Sequence, residues 1–115
     1  MQHDRRALGA HGEDLAAQWY LDRGYVVLAR NWRCRIGELD LVLGRPGLVV
    51  FCEVKARTTA AFGSGAEAVT ATKQARLRRL AAEWLATTRH HCREVRFDVA
   101  AVRRGVEVDV VENAF

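Results

Sequence analysis

Two apolar arms on either side of a Gly-Arg-Pro-Gly turn constrain this chain most: Gly37-Glu38-Leu39-Asp40-Leu41-Val42-Leu43, then Leu48-Val49-Val50-Phe51-Cys52-Glu53-Val54-Lys55. Each arm is rich in branched residues and too short for a helix, so each reads as a strand. Gly44, Pro46 and Gly47 supply the reversal between them, which makes the pair a hairpin. The second arm is apolar on both faces, the pattern of a buried central strand. It nevertheless ends in Glu53 and Lys55, and the first arm carries Asp40. Charges in such places are costly unless they are paired or coordinated.

If Leu43 pairs with Leu48 across the turn, Asp40 falls opposite Phe51. Side-chain alternation then sets Asp40, Phe51, Glu53 and Lys55 on one face, and Leu39, Leu41, Leu43, Leu48, Val50, Cys52 and Val54 on the other. In this register Asp40 and Glu53 are diagonal neighbours, about 7–8 Å apart at the backbone and able to share one ion.

The flanking sequence predicts the remaining elements. Residues 8–23 read as a helix with apolar Leu8, Leu15, Trp19 and Leu21, stopped by Gly24. Gly9, Ala16 and Ala17 form a small-residue flank that carries Glu13 inward beside Tyr20. A first strand covers 25–29, and Arg30-Asn31-Trp32-Arg33-Cys34-Arg35 reads as a basic connector. After Lys55 the chain turns polar, and a second helix begins at Ser64 (capping-box spacing to Glu67) or at Thr70. That helix runs to about residue 87 with Val69, Lys73, Leu77, Leu80 and Trp84 on one stripe. Strands over 95–102 and 106–111 close the chain, the last an exposed edge with Glu107 and Asp109 outward. The order helix, three strands, helix, two strands predicts an α/β fold in which helices flank one central mixed sheet. At 115 residues, a single domain spanning 1–115 is expected.

Composition narrows the partners. No apolar run has the length of a membrane span, and residues 1–6 lack the apolar segment of a secretory signal, so a cytoplasmic protein without membrane contact is expected. Three cysteines at unrelated spacings make no disulfide framework, and His90, His91 and Cys92 with Cys34 match no zinc pattern. A net charge of +4 favours a polyanionic partner. The positive charge comes from sixteen arginines and only two lysines, Lys55 and Lys73. In such a chain a lysine marks a position suited to a compact, titratable ammonium rather than a planar fork.

An acidic residue on one strand and Glu-x-Lys at the end of the next suit metal-assisted phosphodiester cleavage. Two carboxylates can hold Mg²⁺, which takes oxygen ligands and keeps several waters. The cation lowers the pKa of a water and neutralises charge on the phosphate, while a nearby ammonium stabilises the transition state. The plain alternative for Asp40, Glu53 and Lys55 is a structural ion-pair network. Asp98 is expected to pair with Arg96 or Arg57, and Glu38 to be structural.

Gly12-Glu13, Gly24-Tyr25, Asn31, Gly37-Glu38-Leu39-Asp40-Leu41-Val42, Phe51-Cys52-Glu53-Val54-Lys55-x-Arg57, Phe62-Gly63, Lys73, Arg96-Phe97-Asp98 and Asn113-Ala114-Phe115 together resemble the YraN-type family of small bacterial proteins. That family is in turn similar to the PD-(D/E)XK restriction-endonuclease-like superfamily, nearest in plan to archaeal Holliday-junction resolvases. The resemblance implies a metal-dependent endonuclease acting on DNA, branched or structured DNA above all. Asp40 and Glu53 would bind Mg²⁺ or Mn²⁺, Lys55 would assist the attacking water, and Glu13 would complete the metal site as a further catalytic carboxylate. Arg57, Lys73 and, from the connector, Arg33 and Arg35 would line a phosphate-binding rim, with Trp32 able to stack on a base. A homodimer is compatible with this reading. The alternatives are a nucleic-acid-binding module of the same fold without turnover, and a small protein-interaction subunit.

Overall fold

The computed structural model describes residues 5–57 and 69–115. Its elements are α1 (Arg5–Leu21), β1 (Val26–Cys34), β2 (Gly37–Arg45), β3 (Leu48–Arg57), α2 (Ala71–Thr88), β4 (Glu94–Arg103) and β5 (Glu107–Val111). The fold is α/β, with the helix and strand order expected from the sequence. The five strands form one sheet in the order β1-β2-β3-β4-β5. β3 and β4 are parallel, joined through α2, and every other neighbouring pair is antiparallel. Among the described residues no helix is long and apolar enough to cross a membrane.

Each helix covers one face because the strands alternate. Ala16, Ala17 and Tyr20 of α1 pack with Leu41, Leu43, Val50, Cys52 and Ala100, and the two alanines let the helix approach closely. Leu77, Leu80, Ala81 and Trp84 of α2, three or four residues apart, pack with Val42, Val49, Phe51 and Val99 on the other face. Trp84 meets Phe51 edge-on, with centroids 5.8 Å apart. α2 begins at Thr70, whose Oγ1 accepts from the Lys73 N–H at 3.2 Å, satisfying one of the free donors of the first turn. The Ser64–Glu67 cap and Phe62-Gly63 lie outside the described residues. Gly24, at φ +86°, ends the turn after α1, its N–H donating to the Leu21 carbonyl.

Three expectations about the hairpin need correction. Arg30 to Cys34 are not a connector but the second half of β1, paired Arg30↔Leu41, Trp32↔Leu39 and Arg33↔Glu38. An edge strand exposes one flank to water, so its polar residues hide it from a hydrophobicity pattern. Gly44 is likewise inside β2, and only Pro46 and Gly47 form the turn, the φ of +79° at Gly47 being readily adopted by glycine. The β2–β3 register therefore runs Val42↔Phe51 and Leu41↔Cys52, two residues from the expected one. One further step aligns Asp40 with Glu53 rather than with Phe51. A shift of two keeps every other side chain on its expected face. Leu39 is the exception, packing on the α2 side with Val42 and not with Leu41. Alternation breaks at Asp40, beside the left-handed Asn31 (φ +51°) of β1 and just past the last β2–β3 pair.

Asp98 is wholly buried on β4. Tyr20 O–H donates to its Oδ2 at 2.6 Å, Arg96 grips both oxygens at 2.9 Å, and the Asn113 N–H donates to Oδ1 at 3.0 Å. Arg96 also donates to the Tyr25 hydroxyl. The pairing with Arg96 is as the sequence suggested. One carboxylate thus ties α1, β4 and the residues after β5 together.

Candidate functional site

The site opens where the β2–β3 ladder stops. After Leu41↔Cys52 the strands part, and the Asp40 side chain takes over from the backbone: its Oδ2 accepts from the Val54 N–H at 2.8 Å. That bond holds the carboxylate against the β3 backbone, in the gap between the strands. Glu53, one residue before Val54, projects to the α2 face, and its side chain is only 12% exposed.

Both lysines of the chain meet at Glu53. Lys55 Nζ lies 3.8 Å from Glu53 Oε1, and Lys73 Nζ reaches the same oxygen at 3.5 Å from the first turn of α2. Burial, and then the hydrogen bond with Lys73, hold the Lys55 ammonium below the usual lysine range. Lys73 is raised, first by its bond to Lys55 and further by Glu53, and keeps the proton. Lys73 therefore neighbours the carboxylate directly, rather than standing at an outer rim.

Glu13 comes from α1. Its charge is felt at Asp40, although its own nearest cation is Arg30, at 3.8 Å, which also holds Asp14 at 2.7 Å. The sequence pattern sets Arg30 in a basic connector. Its pairing with Leu41, beside Asp40, identifies it once residues 30–34 are seen to be a strand. Arg33 and Arg35 stand at the far end of the β1–β2 hairpin, where Arg33 pairs with its cross-strand partner Glu38 at 2.7 Å. They are not drawn to the lysines. Trp32 is half-buried against the α2-side core. Arg57 ends β3, and its side chain lies outside what the structure describes.

The charge balance is uneven. Asp40 has no ion-pair partner among the described residues, while Glu53 has two. Burial first, and Glu53 second, push the Asp40 carboxyl up to about 7, against a partial opposing effect of the Val54 N–H. A cation at this point would relieve both causes. Among the described residues no three acidic, histidine or cysteine side chains converge as a ready-made ligand set. Mg²⁺ does not need one, since it takes one or two carboxylates and leaves other positions to water and phosphate oxygens. Asp40 Oδ1 and Glu53 Oε2 have no partner among the described residues. The donor set is all oxygen and suits a hard divalent cation.

The raised Asp40 pKa fixes a sign. Between its ordinary value of 3.8 and about 7, the folded chain keeps a proton that the unfolded chain has released. Stability from this group therefore falls as pH climbs through that window and levels above it. Wild type should lose more melting temperature between pH 5 and pH 8 than Asp40→Asn does. At pH 8, Mn²⁺ at a hundred times its Kd should stabilise wild type by about 2.7 kcal/mol and Asp40→Asn far less. Parallel pH profiles and no difference in the Mn²⁺ response would remove Asp40 from the cation site.

The model of a family described as "Uncharacterised protein family UPF0102" matches residues 12–102. A UPF0102 protein of Beutenbergia cavernae is 56% identical over 98 residues, covering 85% of this chain and 83% of the relative. One of Nocardia farcinica is 52% identical over 99 residues, covering 86% and 78%. One of Rhodococcus jostii is 48% identical over 113 residues, covering 95% and 96%.

Proposed function

The chain belongs to the uncharacterised protein family UPF0102, the YraN-type family of the sequence resemblance, and we propose that it is a metal-dependent nuclease that hydrolyses phosphodiester bonds in DNA. The observation that carries the reading is Asp40. Its carboxylate is held by Val54 beside Glu53, in a setting that opposes its charge, while the only two lysines of the chain stand on Glu53. A structural ion-pair network has no use for an acid that, among the described residues, meets no cation. A cation-binding site that also handles phosphate does.

Asp40 and Glu53 would hold the cation through their uncommitted oxygens, with Glu13 alongside. Bound there, Mg²⁺ or Mn²⁺ would lower the pKa of a water and offset charge on the phosphate. The protein's own groups do the rest. The Val54 N–H fixes the Asp40 rotamer, so the ligand is oriented before substrate arrives. Lys55 Nζ hydrogen-bonds the attacking water and the phosphate oxygen on which charge grows. Lys73, the more exposed ammonium, holds the same or the adjoining phosphate.

Cleavage of labelled duplex, single-stranded, flapped and four-way-junction DNA, with Mg²⁺ or Mn²⁺ and with EDTA, tests this. Metal-dependent cutting of at least one, greatest on branched forms, is expected. Binding should weaken with salt, with a slope of about −0.9 per phosphate contact on duplex. Salt-sensitive binding with no cutting on any substrate would replace the enzyme by a binding module.

A further inference from the structure

We propose that Asn31 of β1 is a positioning residue for Asp40: its left-handed backbone turns the β1–β2 ladder over at one row and swings the Asp40 carboxylate into the plane of the sheet. That role rests on the reading of Asp40 as a cation ligand, in which Asn31 itself has no part.

The faces of the two strands show the turn-over. Val42 and Leu39, three residues apart, both pack on the α2 side, and so do their partners Ala29 and Trp32. In a regular strand, residues three apart point to opposite faces. Between these rows lies Arg30↔Leu41, and the next row is left to Asn31 and Asp40. Leu41 packs on the α1 side and Arg30 reaches Glu13 and Asp14 of α1, so alternation still holds there. It fails one row on, at Asn31 and Asp40. The register is the same before and after, so neither strand carries the extra residue of a bulge. Asn31 has a φ of +51°, and asparagine is one of the few residues besides glycine that adopts that conformation readily. A left-handed residue rotates its strand about the strand axis, and β2 turns with it to keep the ladder.

The turn-over decides where the Asp40 carboxylate goes. A regular β2 would set Asp40 on the α2 face with Val42 and leave the Val54 N–H, past the last β2–β3 pair, without its acceptor. With the turn-over, Asp40 Oδ2 accepts from that N–H at 2.8 Å. The carboxylate then lies between the two faces. Glu53 meets Lys73 of α2 on one of them, and Glu13 of α1 meets Arg30 on the other. From the sheet plane, one carboxylate can share a cation with acids arriving from either side. The Asn31 side chain is exposed, so the role belongs to its backbone, and glycine is the substitution that keeps it.

The test needs no cutting. Amide hydrogen exchange of the metal-free protein reads the Asp40–Val54 bond directly, with buried Val99 and Ala100 of β4 as the measure of overall opening. Asn31→Val should speed exchange at Val54 by about ten- to a hundredfold, the loss expected for one hydrogen bond to a charged acceptor. Asn31→Gly should leave it at the wild-type rate, and Asn31→Ala should fall between. In an Asp40→Ala background, Asn31→Val should change nothing further at Val54. Mn²⁺ affinity, read from the electron paramagnetic resonance signal of the free ion, should follow the same order, with Asn31→Val weaker by about 10–100-fold. If Asn31→Val fails to fold, Asn31→Ala against Asn31→Gly carries the comparison. Val54 exchange as fast in Asn31→Gly as in Asn31→Ala would make the side-chain amide responsible and overturn the proposal. Wild-type exchange at Val54 in Asn31→Ala and Asn31→Val overturns it too. Exchange that follows the series in a protein that binds no Mn²⁺ keeps this role for Asn31 and loses the cation reading. A wild type that binds Mn²⁺ and cuts, with Val54 exchange indifferent to Asn31, does the reverse.

Discussion

Asp40→Asn and Glu53→Gln should each abolish metal-dependent cleavage while the protein stays folded. The two carboxylates are the core of the proposed ligand set, and losing either leaves the cation one protein oxygen short. Lys55→Ala should lower the rate by about 10²–10³, the usual loss when one charge-stabilising donor is removed. Its effect on DNA affinity should be small, because the contact grows in the transition state. Stability separates this from an ion-pair network. Asp40 is opposed by burial and by Glu53 and, among the described residues, has no cation to strand. Asp40→Asn should therefore melt no earlier than wild type at pH 8. Glu53→Gln leaves Lys55 and Lys73 facing each other and should melt somewhat earlier. The decisive comparison is cleavage beside melting temperature for all three variants, with and without Mn²⁺. Early melting of Asp40→Asn, together with a wild type that never cuts, would make the cluster a structural one.

The second large effect lies on β4. Four donors converge on the Asp98 carboxylate: the Tyr20 hydroxyl, two arms of Arg96 and the Asn113 N–H. An acceptor-only group suits that position. Asp98→Asn would set an NH₂ against these donors and strand the Arg96 guanidinium. Removing one member of a buried pair costs about 3–5 kcal/mol. For a chain of this size the melting temperature should fall on the order of 10–20 °C. Tyr20→Phe removes only one bond to a charged acceptor and should cost about 1.5–3 kcal/mol. Thermal or urea unfolding of the two variants checks the ranking. If Asp98→Asn melts like wild type, the network is not what fastens α1 and the C-terminal residues to the sheet.

Much of the site was readable because its residue types are out of place. Asp40, Glu53 and Lys55 interrupt apolar strands, and the scarcity of lysine singles out Lys55 and Lys73 without any contact. The faces followed from alternation, which a two-residue error in register leaves intact. That error came from Gly44, which looks like part of the turn but lies in β2. The failures elsewhere share a physical cause. Arg30 to Cys34 form an edge strand, whose polar composition resembles that of a loop. Without that strand, neither the Arg33–Glu38 pair nor the place of Arg30 beside Glu13 could be drawn. The register of β3 on β4 is set across a long connection that includes α2, so no local pattern pointed to Val99 opposite Glu53. The Asp98 network was half visible: Arg96 is two residues away, whereas Tyr20 and Asn113 arrive only through the fold.

The parallel pairing of β3 with β4 has a consequence for how the chain acquires its structure. α1, β1, β2 and β3 are consecutive, and the three strands close by short hairpins. β3 then waits for β4, which begins 37 residues after Arg57. During synthesis a nearly uninterrupted apolar strand, Leu48 to Val54, therefore emerges with one side of its ladder unpaired. Such an edge recruits other chains when exposed. Lys55 and Arg57, at the end of that strand, place positive charge where a second nascent copy would have to add on. The residues proposed to handle phosphate in the finished protein would, at that earlier moment, keep the half-made sheet from joining its neighbours.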